Sequence, residues 1–275
     1  MVRAPMSTPF HPTRRRFLAS ALPLGLVVPA CALGTTPSKK KGLAGHDREA
    51  HLALKVSWWY NWGADGSPHD GVEYFPMIKG KGRMEENHFR QVAKHKERGI
   101  KELLGFNEPE RGDQGNLSVE EALAAWPKLE ATGLRLGSPI PSSDGKGTEW
   151  LKSFLEQANK KKLRVDFIGL HWYRSADPSA FETWLKEWNR EFRKPIWLTE
   201  FNPWRGHTER EHFDFLRGAL RFLERADFVE RYAYFNPNDE GNLFAAEAAK
   251  AADKSGPRPL TKLGVLYRDI DQGRK

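Results

Sequence analysis

Leu103-Leu104-Gly105-Phe106-Asn107-Glu108-Pro109 is an apolar run that stops at an amide, a carboxylate and a proline. Its length and composition fit a buried strand. Glu108 cannot extend the apolar pattern. Pro109 lacks a backbone donor and disfavours helical geometry in the residue before it, so the chain must turn at the carboxylate. Pro195-Ile196-Trp197-Leu198-Thr199-Glu200-Phe201-Asn202 is built the same way, mostly apolar up to Glu200 and broken by Pro203. Two strand-end glutamates suggest a paired-carboxylate site.

Outward from these two stretches the chain alternates between strand and helix patterns. Before the first lie a strand from Lys55 to Trp62 that ends in an aromatic cluster, a Gly-, Asp- and Pro-rich loop, a strand from Val72 to Ile78, and a helix over Met84 to Arg98. After it, Ser118-Val119-Glu120-Glu121 is a capping box opening a helix that Pro127 should kink or restart. A strand from Leu134 to Pro141, a helix from Thr148 to Lys162 and a strand from Val165 to Tyr173 follow. Asp177-Pro178 caps the next helix, which leads to the Glu200 strand. Thr208-Glu209-Arg210-Glu211 is a second capping box, Arg231 to Phe235 the last clear strand, and Leu260 to Asp269 a closing helix.

Strands alternating with helices at short spacing call for a parallel sheet with helices outside it, and this many units in one domain favours a closed (β/α)8 TIM barrel. Seven strands are legible. The eighth lies before Trp58 or between Ile78 and Leu103, unless the barrel is irregular. An open doubly wound sheet is the alternative, but no Gly-rich phosphate loop follows any strand; Gly137 to Gly147 lacks the P-loop spacing.

The net charge of +8 invites a nucleic-acid reading. Seven of the 44 basic residues fall within residues 1–41, where there is no acid, and the remainder carries 37 basic against 36 acidic residues. The folded part therefore lacks the basic footprint of a nucleic-acid binder. Thr13-Arg14-Arg15-Arg16-Phe17-Leu18-Ala19, followed by an apolar segment to Ala30, carries the twin-arginine export pattern. The sole cysteine, Cys31, follows Val28-Pro29-Ala30, which resembles a lipoprotein box; ordinary cleavage at Ala30-Cys31-Ala32 is the alternative. Residues 1–31 are thus expected to be an export signal, 32–50 a polar tether, and 51–275 one catalytic barrel domain, periplasmic, surface-anchored or secreted. Contact with a membrane would come only through a lipid on Cys31. No intrachain disulfide can form.

In a parallel barrel the C-terminal ends of all strands face one rim, so Glu108, Glu200, Asn61, His171, Tyr173 and Asn236 should converge there. Two carboxylates across a sugar-sized gap can carry out glycosidic chemistry, one as proton donor, the other as nucleophile or as base for water. Among the ten tryptophans, Trp58, Trp59, Trp62, Trp172 and Trp204, with Tyr60, fall at strand ends or loops where flat rings can stack on sugars. Trp150, Trp184 and Trp188 are at helical spacing and belong to the core. The competing reading of the glutamates is structural: Glu108 can pair with Arg111 and Glu200 with Arg205. No His spacing suits a metal, and no cofactor is called for.

Gly105-Phe106-Asn107-Glu108-Pro109 and Trp197-Leu198-Thr199-Glu200-Phe201, with Ser57-Trp58-Trp59-Tyr60-Asn61-Trp62-Gly63 and Phe75-Pro76-Met77-Ile78, resemble glycoside hydrolase family 128. That family consists of clan A barrels acting on β-1,3-glucan, and the likeness runs from about Val56 to Tyr267. It implies Glu108 as acid/base, Asn107 as a contact to the sugar 2-hydroxyl, and Glu200 as the nucleophile of a retaining reaction, oriented by Tyr173 or His171. Asn202 and Trp204 would line the same cleft. The clan places its pair on strands four and seven, whereas the legible strands put it on three and six. A missed early strand reconciles the two. The expected partner is a β-glucan, bound by a monomer; the reading from another class is a β-glucan-binding lipoprotein that does not turn over.

Overall fold

A computed structural model describes residues 38–237, 239–245 and 258–270, together with Met1. The expected export signal beyond Met1, with Cys31, and residues 32–37 of the expected tether lie outside the described residues.

The elements in order are β1 (Lys41–Ala44), α1 (Arg48–Ala53), β2 (Trp58–Tyr60), β3 (Glu73–Tyr74), α2 (Glu86–Glu97), β4 (Glu102–Leu103), α3 (Val119–Glu130), β5 (Arg135–Leu136), α4 (Gly145–Lys160), β6 (Ile168–Trp172), α5 (Pro178–Phe192), β7 (Ile196–Phe201), α6 (Glu209–Arg225), β8 (Val229–Tyr234) and α7 (Lys262–Arg268). Six strands form a parallel sheet in the order β3-β2-β1-β8-β7-β6, and β4 pairs with β5. Parallel bridges Met77 to Leu104 and Gly137 to Phe167 join the two sheets at both seams and close the ring. The result is a distorted (β/α)8 barrel, in which Glu108 follows strand four and Glu200 lies on strand seven.

The eighth strand is β1, inside the segment expected to be tether, so the fold begins well before Leu52. The lysine run that suggested a solvated linker is instead tied to two helix ends. Lys40 Nζ donates to the carbonyls of Leu223, Glu224 and Ala226 at the end of α6. Lys41 Nζ donates to those of Tyr267 and Arg268 at the end of α7. Helix C-termini leave carbonyls unsatisfied and attract cations, which is why two lysines can border a central strand. Burial pulls Lys41 down to about 8, against the opposing pull of Glu224.

The two-residue period of the strands sorts their side chains into two cores. Inside the ring, Trp58, Phe75, Met77, Leu104, Ile140, Phe167, Trp197 and Ala233 pack together. Gly42 is required there, since a Cβ on it would lie 2.4 Å from the Trp58 indole. Between ring and helices, Trp59, Tyr74, Leu136, Leu170, Trp172, Leu198 and Tyr232 join the apolar faces of the helices, which include Trp126, Phe154, Phe181, Trp188 and Phe215. Both capping boxes form, at Ser118 with Glu121 and at Thr208 with Glu211. Asp177 caps α5 ahead of Pro178. α3 runs through Pro127 as one helix instead of restarting there.

The N-terminal rim is charged and self-satisfied. Arg135 makes a bidentate pair with Glu230 at 2.7 and 2.8 Å, Trp197 Nε1 donates to the same carboxylate, and Arg231 lies 4.6 Å over the Phe75 ring. These groups close the bottom of the barrel and leave the opposite rim for chemistry.

Candidate active site

Glu108 is held by its turn rather than by a strand. Its backbone takes φ of +40°, in the left-handed region that non-glycine residues rarely occupy. The conformation is fixed from both sides: its N–H donates to the Ile140 carbonyl at 2.7 Å, and its own carbonyl accepts from Arg111 and Gly115. Trp62, after β2, has φ of +56°. Strained backbone at two residues that both face one cleft is the pattern expected of a functional site.

Glu200 reaches the same place through an irregularity. Trp197 points into the barrel, so strict alternation along β7 would bring Phe201 inward and send Glu200 out. The register with β8 shifts between Leu198 and Phe201, and the pairing with β6 shifts between Leu170 and His171. Such bulges re-aim side chains. Phe201 consequently packs outward against Phe181 and Tyr234, and Glu200 turns inward, 5% exposed.

Three donors hold the Glu200 carboxylate. Tyr60 Oη donates to Oε1 at 2.7 Å and Trp62 Nε1 to the same oxygen at 2.8 Å. Tyr173 Oη donates to Oε2. Burial first, and then the charge of Glu200, raises both tyrosines well above the ordinary phenol range, so both keep their protons and remain donors. His171 lies between the two glutamates, fully buried, with Nε2 3.3 Å from Glu200 Oε1 and Nδ1 3.5 Å from Glu108 Oε1. Arg111 Nε stands 3.6 Å from the other Glu108 oxygen. The Glu108–Arg111 pairing therefore exists alongside the site geometry. No Glu200–Arg205 ion pair is present among the described residues.

Above the carboxylates opens a cleft of about 870 Å³ whose walls include Trp62, Asn107, Tyr173, Asn202, Trp204 and Asn236. Asn107 is buried, and its Oδ1 has no hydrogen-bond partner among the described residues. Asn202 donates to the Phe235 carbonyl, and Asn236 ties its loop to Asn242 and Leu243. Trp204 is 60% exposed, an indole face presented to the cleft wall.

Four expected sugar contacts do not reach this cleft. Trp58 fills the barrel interior and Trp59 the layer behind it, against His46, His51 and Tyr74. Trp172 points outward onto Phe181, Trp184 and Phe215. Asn61 is occupied in its own loop, donating to Asp65 and accepting from the Tyr74 hydroxyl. Tyr60 is present, but beneath the site as a donor to Glu200 and not as an open stacking face. Lys79, Gln114 and Phe235 also line the cleft and were missed from sequence. Phe235 follows directly on β8, so the strand-end rule that found Asn236 could have found it too.

The profile described as glycosyl hydrolase catalytic core matches residues 41–267. No curated protein matches the chain. Solved structures do. An endo-β-1,3-glucanase of glycoside hydrolase family 128, subgroup I, from Amycolatopsis mediterranei, in complex with laminaritriose, is 30% identical, with a TM-score of 0.70 covering 84% of this chain and 99% of that one. A subgroup II endo-β-1,3-glucanase from Sorangium cellulosum is 32% identical, with a TM-score of 0.71 over 85% and 99%. A subgroup III curdlan-specific exo-β-1,3-glucanase from Blastomyces gilchristii, in complex with glucose, is 30% identical, with a TM-score of 0.71 over 86% and 100%. With its barrel, its two rim glutamates and this likeness over nearly the whole length of each relative, the chain belongs to the glycosyl hydrolase catalytic-core family and, within it, to the glycoside hydrolases of family 128.

Proposed function

We propose that the protein hydrolyses β-1,3-glucan with retention of configuration, by double displacement, Glu200 being the nucleophile and Glu108 the acid/base. The observation that carries this reading is the dressing of Glu200. Three donors fix the orientation of one carboxylate beneath the cleft, an arrangement suited to attack on an anomeric carbon. The second carboxyl contacts the same imidazole from the other side.

In the first step a Glu200 oxygen bonds to the anomeric carbon while the glycosidic bond breaks, and the Glu108 proton passes to the departing sugar oxygen. In the second, water attacks the same carbon, gives its proton to Glu108 and releases Glu200. Asn107 Oδ1, buried and without a partner among the described residues, is placed to accept from a sugar hydroxyl. The choice of β-1,3-glucan is supported by relatives named as β-1,3-glucanases, two of which are bound to laminaritriose or glucose. The twin-arginine leader supports action outside the cytoplasm, at the surface or in the periplasm.

The test compares wild type with Glu108→Gln and Glu200→Gln on laminarin. Both variants should fold and lose turnover by about three orders of magnitude or more. Near-normal hydrolysis by either one would remove that residue from its role.

A further inference from the structure

His171 is the least satisfied polar group in the site. Its ring is fully buried, and neither nitrogen has a hydrogen-bond partner among the described residues, although a carboxylate oxygen stands 3.3 Å from Nε2 and another 3.5 Å from Nδ1. A buried ring in that position is costly unless its hydrogens match the groups around it. The groups that face it are Glu200 on β7, Glu108 and Glu110 after β4, and the Tyr173 ring, 6.0 Å away on its own side of the barrel. Tyr60 and Arg111 stand one step further out, each on a carboxylate.

Two steps place the hydrogens. Glu200 Oε1 already accepts from Tyr60 and Trp62, so it is an acceptor toward His171 as well, and Nε2 carries a hydrogen. Nδ1 then has two states. With a hydrogen, the ring is a cation facing an ionised Glu108. Without one, its lone pair faces Glu108 Oε1, and the hydrogen must sit on that carboxyl, because two lone pairs would otherwise confront each other. Either way a single proton lies between Nδ1 and Oε1.

We propose that Glu108 and His171 share one proton across these two atoms, which makes His171 a positioning residue that stores the acid proton between turnovers. The inference rests on the acid/base role proposed above for Glu108. In the resting enzyme the proton moves from Nδ1 to the Glu108 carboxyl and from there to the leaving oxygen as the glycosidic bond breaks. The pair is then empty beside the glycosylated Glu200. The proton taken from water in the second step refills it, so each cycle closes without another donor. The electrostatics agree: burial pulls the proton affinity of His171 down, but Glu200 and Glu108, with Glu110 behind them, pull it above the ordinary imidazole value.

The test is nuclear magnetic resonance of the intact enzyme, following the ¹⁵N signal of His171 and the ¹³C carboxyl signal of Glu108 against pH, assigned with His171→Gln and Glu108→Gln. A shared proton makes both signals titrate with the same macroscopic midpoints, and Glu108→Gln moves the His171 midpoint toward acid. Independent midpoints, or a His171 titration unchanged in Glu108→Gln, would overturn the proposal. Activity supplies a second readout. His171→Gln should move the alkaline limb of kcat/KM toward acid, by up to about 2 pH units, the gap between ordinary imidazole and carboxyl values. A lower kcat with an unmoved limb would reduce His171 to a structural role. If His171→Gln does not fold, the wild-type and Glu108→Gln titrations decide alone. Failure of the glucanase reading would show separately, as absence of laminarin hydrolysis by wild type.

Discussion

Tyr173→Phe isolates the orientation of the nucleophile. Among the described residues the hydroxyl removed is the one donor to Glu200 Oε2, because Tyr60 and Trp62 both serve Oε1. The ring stays, with its edge contacts to His171 and Phe235 at 6.0 and 5.8 Å, so packing is preserved and the change is close to a single-bond deletion. A hydrogen bond to a charged group contributes about 1.5 to 3 kcal/mol. At about 1.4 kcal/mol per tenfold, kcat/KM should fall by about 10- to 150-fold. The assay is initial-rate hydrolysis of a defined laminari-oligosaccharide at several concentrations, with thermal unfolding as the check on folding. The loss should fall on kcat more than on KM, since the carboxylate acts on the reacting carbon. A fully folded variant whose kcat/KM stays within about threefold of wild type would refute the idea that this donor sets the geometry of Glu200.

Trp204→Ala removes an exposed indole at the cleft wall; KM for long oligosaccharides should rise about fivefold, with stability changed by no more than about 0.5 kcal/mol, checked by kinetics and calorimetry. Trp58→Phe should behave in the opposite way, lowering stability by about 1 to 3 kcal/mol and leaving KM unchanged, because its ring belongs to the barrel interior. His51 gives a pH dependence of stability. Burial pulls it down to about 4, between the Gly45 carbonyl and His69 Nε2, each 3.0 Å away. A folded value below the ordinary 6.5 means that its contribution is intact above pH 6.5 and is lost as pH falls toward 4, in total on the order of 3 kcal/mol. Unfolding midpoints measured from pH 7 to pH 4 should show that slope, and His51→Gln should flatten it.

The two glutamates were legible because a strand that ends in an acid followed by a turn-forming residue has few structural reasons to do so. The capping boxes at Ser118 and Thr208 and the Asp177-Pro178 cap were legible for a similar reason, being local hydrogen-bonding rules written in adjacent residues. β1 was hidden because Lys39-Lys40-Lys41 reads as solvated charge, and the carbonyls that two of these lysines satisfy lie more than 180 residues away. The tryptophans show the limit of a strand-end rule applied without the two-residue period. Alternation from the inward Trp58 sends Trp59 outward, and alternation from the inward His171 sends Trp172 outward. Glu200 is the converse case. Strict alternation from Trp197 would have buried it behind the barrel, and only the register shift in β7, invisible in sequence, brings it inward.

The most direct test of double displacement by Glu108 and Glu200 is the anomer formed first when the enzyme cleaves a laminari-oligosaccharide, followed by proton nuclear magnetic resonance before mutarotation equalises the two forms. The account predicts the β-anomer at the newly formed reducing end in the earliest spectra. Early accumulation of the α-anomer would contradict it, because inversion needs no covalent bond to Glu200 and would recast that residue as a base for water.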